Sequence, residues 1–164
     1  MNESSQAGES ITHEGLAALR AELAELEGPA RRAMAARIKA ARELGDLKEN
    51  AEYHIAKDDQ ARLETRIKRL RTRLRMAEVV EVDESSESFA FGQTAEVVDD
   101  ASGNLRTWTL VGPTEADLGA GRLSVESPVG RALRDRDVGE SVVVETPRGD
   151  RVYRIRAIVP KQRP

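Results

Sequence analysis

Leu16, Leu19, Leu23 and Leu26 recur at intervals of three, four and three. Only an α-helix brings such positions onto one narrow stripe, and a helix with so narrow an apolar seam needs a second helix against it. Thr12 stands ahead of the stripe as an N-cap. Ala30 and Ala33 continue the spacing, which would next place Arg37 in the seam, whereas Met34, Ile38 and Ala41 offer a shifted stripe. A register slip is therefore expected near Gly28-Pro29, where proline removes an internal hydrogen bond. A second heptad pattern runs through Ala56, Leu63, Ile67, Leu70, Leu74 and Ala77, with Gln60 as a polar seam position. Two seams joined by a short turn pack antiparallel, because a tight connection leaves no reach for a parallel return. Each arm of roughly 30 residues spans about 45 Å, too long to bury against the rest of the chain, so the hairpin is expected to project.

Charge sharpens the picture. Residues 62–75 carry seven basic residues and one acid, Glu64, whereas residues 43–52 hold Glu43, Asp46, Glu49 and Glu52 against Lys48 alone. The arm is basic and its turn acidic. The chain has no cysteine and only two histidines, His13 and His54, which excludes thiolate chemistry, cysteine zinc sites and a histidine cage. No apolar run approaches the ~20 residues of a membrane span, so a cytoplasmic protein with no membrane partner is expected.

Residues 1–10, polar and acidic, are expected to be a flexible tail; residues 11–80 the hairpin, with its acidic tip at 44–50; and residues 81–88, with Glu81, Asp83, Glu84 and a serine run, a linker. From residue 89 the apolar period falls towards two. Strands are expected at Thr94–Val98, Leu105–Val111, Ser141–Glu145 and Arg151–Val159, with a short helix after Pro128. The fold class is α+β. Phe89, Phe91, Trp108 and Tyr153 are expected to pack in the core or against the linker rather than wall a catalytic pocket.

Two readings stand for the tip. In the structural one, Gly45 ends the first helix in a left-handed conformation, Asp46 caps the second and Glu49 reaches back to complete a capping box. In the functional one, Asp46 and Glu49, three residues apart, are metal ligands. Two carboxylates are too few for Mg²⁺, which takes six oxygens, so a partner would supply the rest.

The run Ala41-Arg42-Glu43-Leu44-Gly45-Asp46-Leu47-Lys48-Glu49-Asn50-Ala51-Glu52-Tyr53-His54 resembles the tip motif of the GreA/GreB transcript cleavage factors of bacterial RNA polymerase, and GreA more than GreB. Ser127-Pro128-Val129-Gly130-Arg131-Ala132-Leu133, Val138-Gly139-Glu140, Val111-Gly112, Glu115-Ala116-Asp117 and Ile11-Thr12-His13-Glu14-Gly15-Leu16 resemble it in the same order. The resemblance implies an antiparallel coiled-coil hairpin followed by a small FKBP-like α+β domain at 89–164. The implied partners are the polymerase core, through its secondary channel and rim, and the 3′ end of backtracked RNA. It implies catalytic and Mg²⁺-binding roles for Asp46 and Glu49, with Mg²⁺ shared only in the complex, and RNA contacts from Arg42 and Lys57. Glu126, Ser127 and Pro128 would meet the polymerase rim, while Leu44, Gly45, Leu47, Lys48, Asn50 and Tyr53 support the tip. Such a protein is an accessory factor rather than an enzyme, expected to act as a monomer. Leu44 departs from the histidine frequent in the family. The alternative is an inhibitory channel-binding relative, but the tip lacks the extra aspartates of that group. Glu43 and Glu52 receive no role.

Overall fold

The computed structural model describes residues 8–46 and 49–161. Strand β1 (Glu9–Ile11) leads into helix α1 (His13–Glu25), a π-helical turn (Leu26–Ala30), α2 (Arg31–Arg42) and α3 (Ala51–Met76). Strands β2 (Ala77–Val79), β3 (Thr94–Asp99), β4 (Leu105–Val111) and β5 (Arg122–Ser124) follow, then α4 (Pro128–Leu133), β6 (Ser141–Thr146) and β7 (Gly149–Val159). The class is α+β. Packing divides the chain into residues Leu16–Met76 and a second unit comprising the segment ending at Gly15 together with the chain from Ala77 onward.

In the helical unit, Leu19, Leu23, Ile38 and Ala41 on the first arm and Ala56, Ile67 and Leu70 on the second are buried. The expected register slip takes the form of the π-turn. The Arg31 N–H reaches the Leu26 carbonyl, five residues back, because Pro29 has no N–H to give and an extra residue per turn rotates the stripe. Beyond it Ile38 and Ala41 face inward while Ala33 is exposed, so the shifted stripe replaces the strict one. Ion pairs cross between the arms and set their register. Arg31 grips Glu64 with two hydrogen bonds of 2.8 and 2.7 Å, Arg37 meets Asp59 at 2.7 Å, and Arg66–Glu22 and Arg71–Glu27 pair further along.

The Arg31 hydrogen bonds hold the Glu64 carboxyl below its ordinary pKa. A group whose pKa is depressed by folding adds stability above the ordinary carboxylate range and loses it as pH falls through the lowered value. An acid titration followed by circular dichroism is therefore expected to separate the wild type from Glu64→Gln at neutral pH, with the two curves merging at the acid end.

In the sheet unit, β1 pairs in parallel with β2, Glu9 opposite Ala77 and Ile11 opposite Val79. This corrects three sequence expectations. Glu9 and Ser10 leave the tail, and Ala77 leaves the helical seam for a strand. The segment 81–88 is folded onto its unit rather than linking two parts: the buried Gln93 donates to the carbonyls of Asp83 (2.9 Å) and Ser86 (3.0 Å). Three-residue strands offer no alternation to detect, and the contacts that hold residues 81–88 come from a residue outside them.

Thr12 caps α1, its hydroxyl accepting the Gly15 N–H at 3.0 Å. The Glu115 carboxylate in turn accepts both the N–H and the hydroxyl of Thr12, and Glu9 does the same for Thr114. Thr12→Ala loses the cap and the hydroxyl bond to Glu115, with an expected cost of about 1–2 kcal/mol in urea unfolding, and Thr12→Ser should recover most of it.

The main sheet has the order β5-β4-β3-β7-β6, antiparallel except for β4 beside β5. Phe89, Val97, Leu110 and Ile155 form its core with Leu133 of α4. Phe91, Trp108 and Tyr153 are buried in the same cluster, with the Trp108 and Tyr153 rings 5.8 Å apart, so the aromatics do pack as expected.

Candidate functional site

The tip is built where α2 stops. Glu43 keeps helical dihedrals and its N–H reaches Lys39 at 3.3 Å, but the Leu44 N–H tightens onto Ala41 at 3.2 Å. Gly45 then takes φ +126°, with nothing within 4 Å of where a Cβ would lie. Its requirement is therefore conformational, not steric, because side chains rarely adopt such a φ. Leu44 is 72% exposed, and Glu43, Asp46 and Glu49 are exposed as well. Leu47 and Lys48, expected to support the tip, lie outside the described residues.

Helix α3 is capped by a residue other than Asp46. Helix α3 begins at Ala51, and Asn50 is its cap: Asn50 Oδ1 accepts the Tyr53 N–H at 3.1 Å while Nδ2 donates to the Ala41 carbonyl at 2.5 Å. Asp46 and Glu49 both precede that cap, so the capping box expected from Asp46-x-x-Glu49 does not start the helix. Asparagine caps as well as aspartate, and it stands directly before the helical residues. That adjacency was the signal available in sequence. Glu49 and Glu52 flank the positive end of α3, where negative charge is favoured.

Arg42 and Lys57 stand on either side of this end. The Arg42 guanidinium lies 5.7 Å from the Tyr53 ring centroid, and Lys57 Nζ donates to Gln60 at 2.8 Å. The Tyr53 ring also meets His54 edge-on at 5.7 Å. Further along α3, Arg62, Arg66, Arg69 and Arg73 line one open groove with Thr65 and Glu22. Of these, Arg66 is paired with Glu22 and Arg62 lies 3.8 Å from Asp59, so the groove keeps a positive surplus.

Glu126, Ser127 and Pro128 belong to the sheet unit. Ser127 caps α4, accepting the Gly130 N–H at 3.0 Å and donating to the Ser124 carbonyl at 2.7 Å, with Pro128 in the first turn. A Cβ on Gly130 would run into that same carbonyl. Glu126 is exposed beside the cap. The loop is thus a rigid, outward-facing turn.

A metal requires donors of suitable chemistry. Exposed carboxylate oxygens at Asp46 and Glu49 suit a hard cation such as Mg²⁺, and among the described residues no group of three or more His, Asp or Glu side chains is placed to hold an ion unaided. The two tip carboxylates fit the donor chemistry of such a cation. No helix among the described residues is long and apolar enough to cross a membrane.

Comparison with known proteins matches most of the chain. The family model for the N-terminal domain of the GreA/GreB transcription elongation factors matches residues 9–79, and that for the C-terminal domain matches residues 84–160. Transcription elongation factor GreA of Rhodospirillum rubrum is 44% identical over 146 residues, covering 88% of this chain and 93% of the relative. GreA of Paracoccus denitrificans is 44% identical over 148 residues, covering 90% and 95%. Among solved structures, GreA factor homolog 1 of Thermus thermophilus is 28% identical, with 92% of this chain and 97% of that one covered and a TM-score of 0.40. With both family domains matched in order and the curated relatives spanned almost end to end, this chain belongs to the GreA/GreB family of transcription elongation factors.

Proposed function

We propose that this chain enters the secondary channel of bacterial RNA polymerase with its hairpin tip and stimulates the polymerase's own endonucleolytic cleavage of backtracked RNA, releasing arrested complexes. The observation that carries this reading is that Asp46 and Glu49 are exposed ahead of the α3 cap, in a turn whose capping is done by Asn50. Carboxylates are the donor chemistry that would complete a Mg²⁺ site whose other ligands belong to the polymerase. When bound there, the cation would activate a water or stabilise a leaving oxygen in phosphodiester hydrolysis. The chain itself supplies no nucleophile and acts as an accessory factor.

The remaining parts take supporting roles in the same reading. Arg42 and Lys57 lie beside the path of extruded RNA, and the arginine groove on α3 suits an acidic channel wall. The Glu126-Ser127-Pro128 turn, rigid through the Ser127 cap, grips the rim. The test is a backtracked elongation complex given wild-type protein or the Asp46→Asn/Glu49→Gln pair. Shortened RNA with the wild type alone supports the proposal. Slowed transcription without shortening by wild-type protein would assign it instead to inhibitory channel binding.

A further inference from the structure

Glu43, Leu44, Gly45, Asp46 and Glu49 are all exposed, and along the described chain the flanking buried residues are Ala41 on α2 and Ala56 on α3. Ordering exposed residues costs conformational entropy, which contacts at the neck of the turn offset. Among the described residues, the Asn50 amide and the Arg42–Tyr53 pair cross that neck. The Asn50 amide joins the last buried turn of α2, at the Ala41 carbonyl, to the first turn of α3, at the Tyr53 N–H. Tyr53 then receives the Arg42 guanidinium over its ring.

We propose that Asn50 is a positioning residue, which clasps the two helices so that Asp46 and Glu49 are presented together to a divalent cation. The inference rests on the function proposed above and adds how the carboxylates are held. The chemistry selects asparagine. A side-chain amide carries an acceptor and a donor on one planar group, and the two ends here need one of each. The reversed amide would set oxygen against the Ala41 carbonyl and NH₂ against the Tyr53 N–H, so the network assigns its orientation. Serine retains a capping oxygen but not the reach to Ala41. Aspartate retains the acceptor and turns a second oxygen on that carbonyl.

Asn50→Ser and Asn50→Asp therefore separate capping from clasping in the full-length protein. In the free protein, amide hydrogen exchange at Glu43 and Leu44, whose N–H groups close the end of α2, is expected to quicken about tenfold in both variants. Exchange at Ile38 and Ile67 should stay at the wild-type rate. In the backtracked complex, the Mg²⁺ concentration giving half-maximal cleavage is expected to rise about 10- to 100-fold, the range for residues that orient ligands. Saturating Mg²⁺ should restore cleavage, and polymerase binding should be unchanged. Wild-type exchange in both variants, or a wild-type Mg²⁺ dependence despite faster exchange, overturns the inference. The Asp46→Asn/Glu49→Gln pair is run alongside: if it still cleaves, the proposed function fails, while the exchange measurement reports separately on the clasp.

Discussion

Replacing Asp46 by Asn and Glu49 by Gln together is expected to lower cleavage in a backtracked complex by roughly 10²-fold or more, with polymerase binding retained. The magnitude follows from the proposed role. A cation that stabilises developing charge is worth several kcal/mol in the transition state, and every ~1.4 kcal/mol is a factor of ten. Both substitutions keep side-chain size while removing the negative charge and exchanging one acceptor oxygen for an amide donor. Helix α3 is capped by Asn50, so the two substitutions leave that cap in place. Equal melting temperatures of variant and wild type, together with equal affinity for core polymerase, would complete the result. Persistent cleavage by the double variant would remove the metal role.

Phe89→Ala is expected to be the most damaging single change to the sheet unit, costing about 3–5 kcal/mol in urea unfolding. The Phe89 side chain is 0% exposed at the centre of the core. Its backbone closes two further links, donating to the Arg136 carbonyl at 2.8 Å and accepting the Asp135 N–H at 2.9 Å. A void here leaves neighbours that cannot all collapse inward without straining those links. Val143→Ala on β6, at a site 61% exposed, should change stability by no more than about 0.5 kcal/mol. A comparable loss at both positions would contradict the placement of the core.

Some of this was legible residue by residue. The leucine spacing specified two helices and their antiparallel pairing, and the conflict at Gly28-Pro29 announced a change of register. Alternation marked four strands to within a few residues, since each has one buried face. Gly45 announced a break, and the acids around it a charged turn. The capping assignment was not legible in the same way. Asp46, Glu49 and Asn50 all carry acceptors suited to a helix start, and only the length of the turn decides which one stands next to it.

The sequence by itself determined the two classes of element, their order, and the acidic point between basic arms, because periodicity and charge are local properties that each segment carries alone. Tertiary structure decided what depends on distant partners. It converted the register slip into a π-turn through the requirement that Ile38 and Ala41 meet α3. It drew Glu9–Ile11 beside Ala77–Val79, and bound Thr12 to Glu115 across 103 positions of chain. It also gave Asn50 two hydrogen bonds on opposite sides of the turn, a contact nine residues long that no local pattern encodes. Hydrogen bonds of that kind form only once both helices are in place.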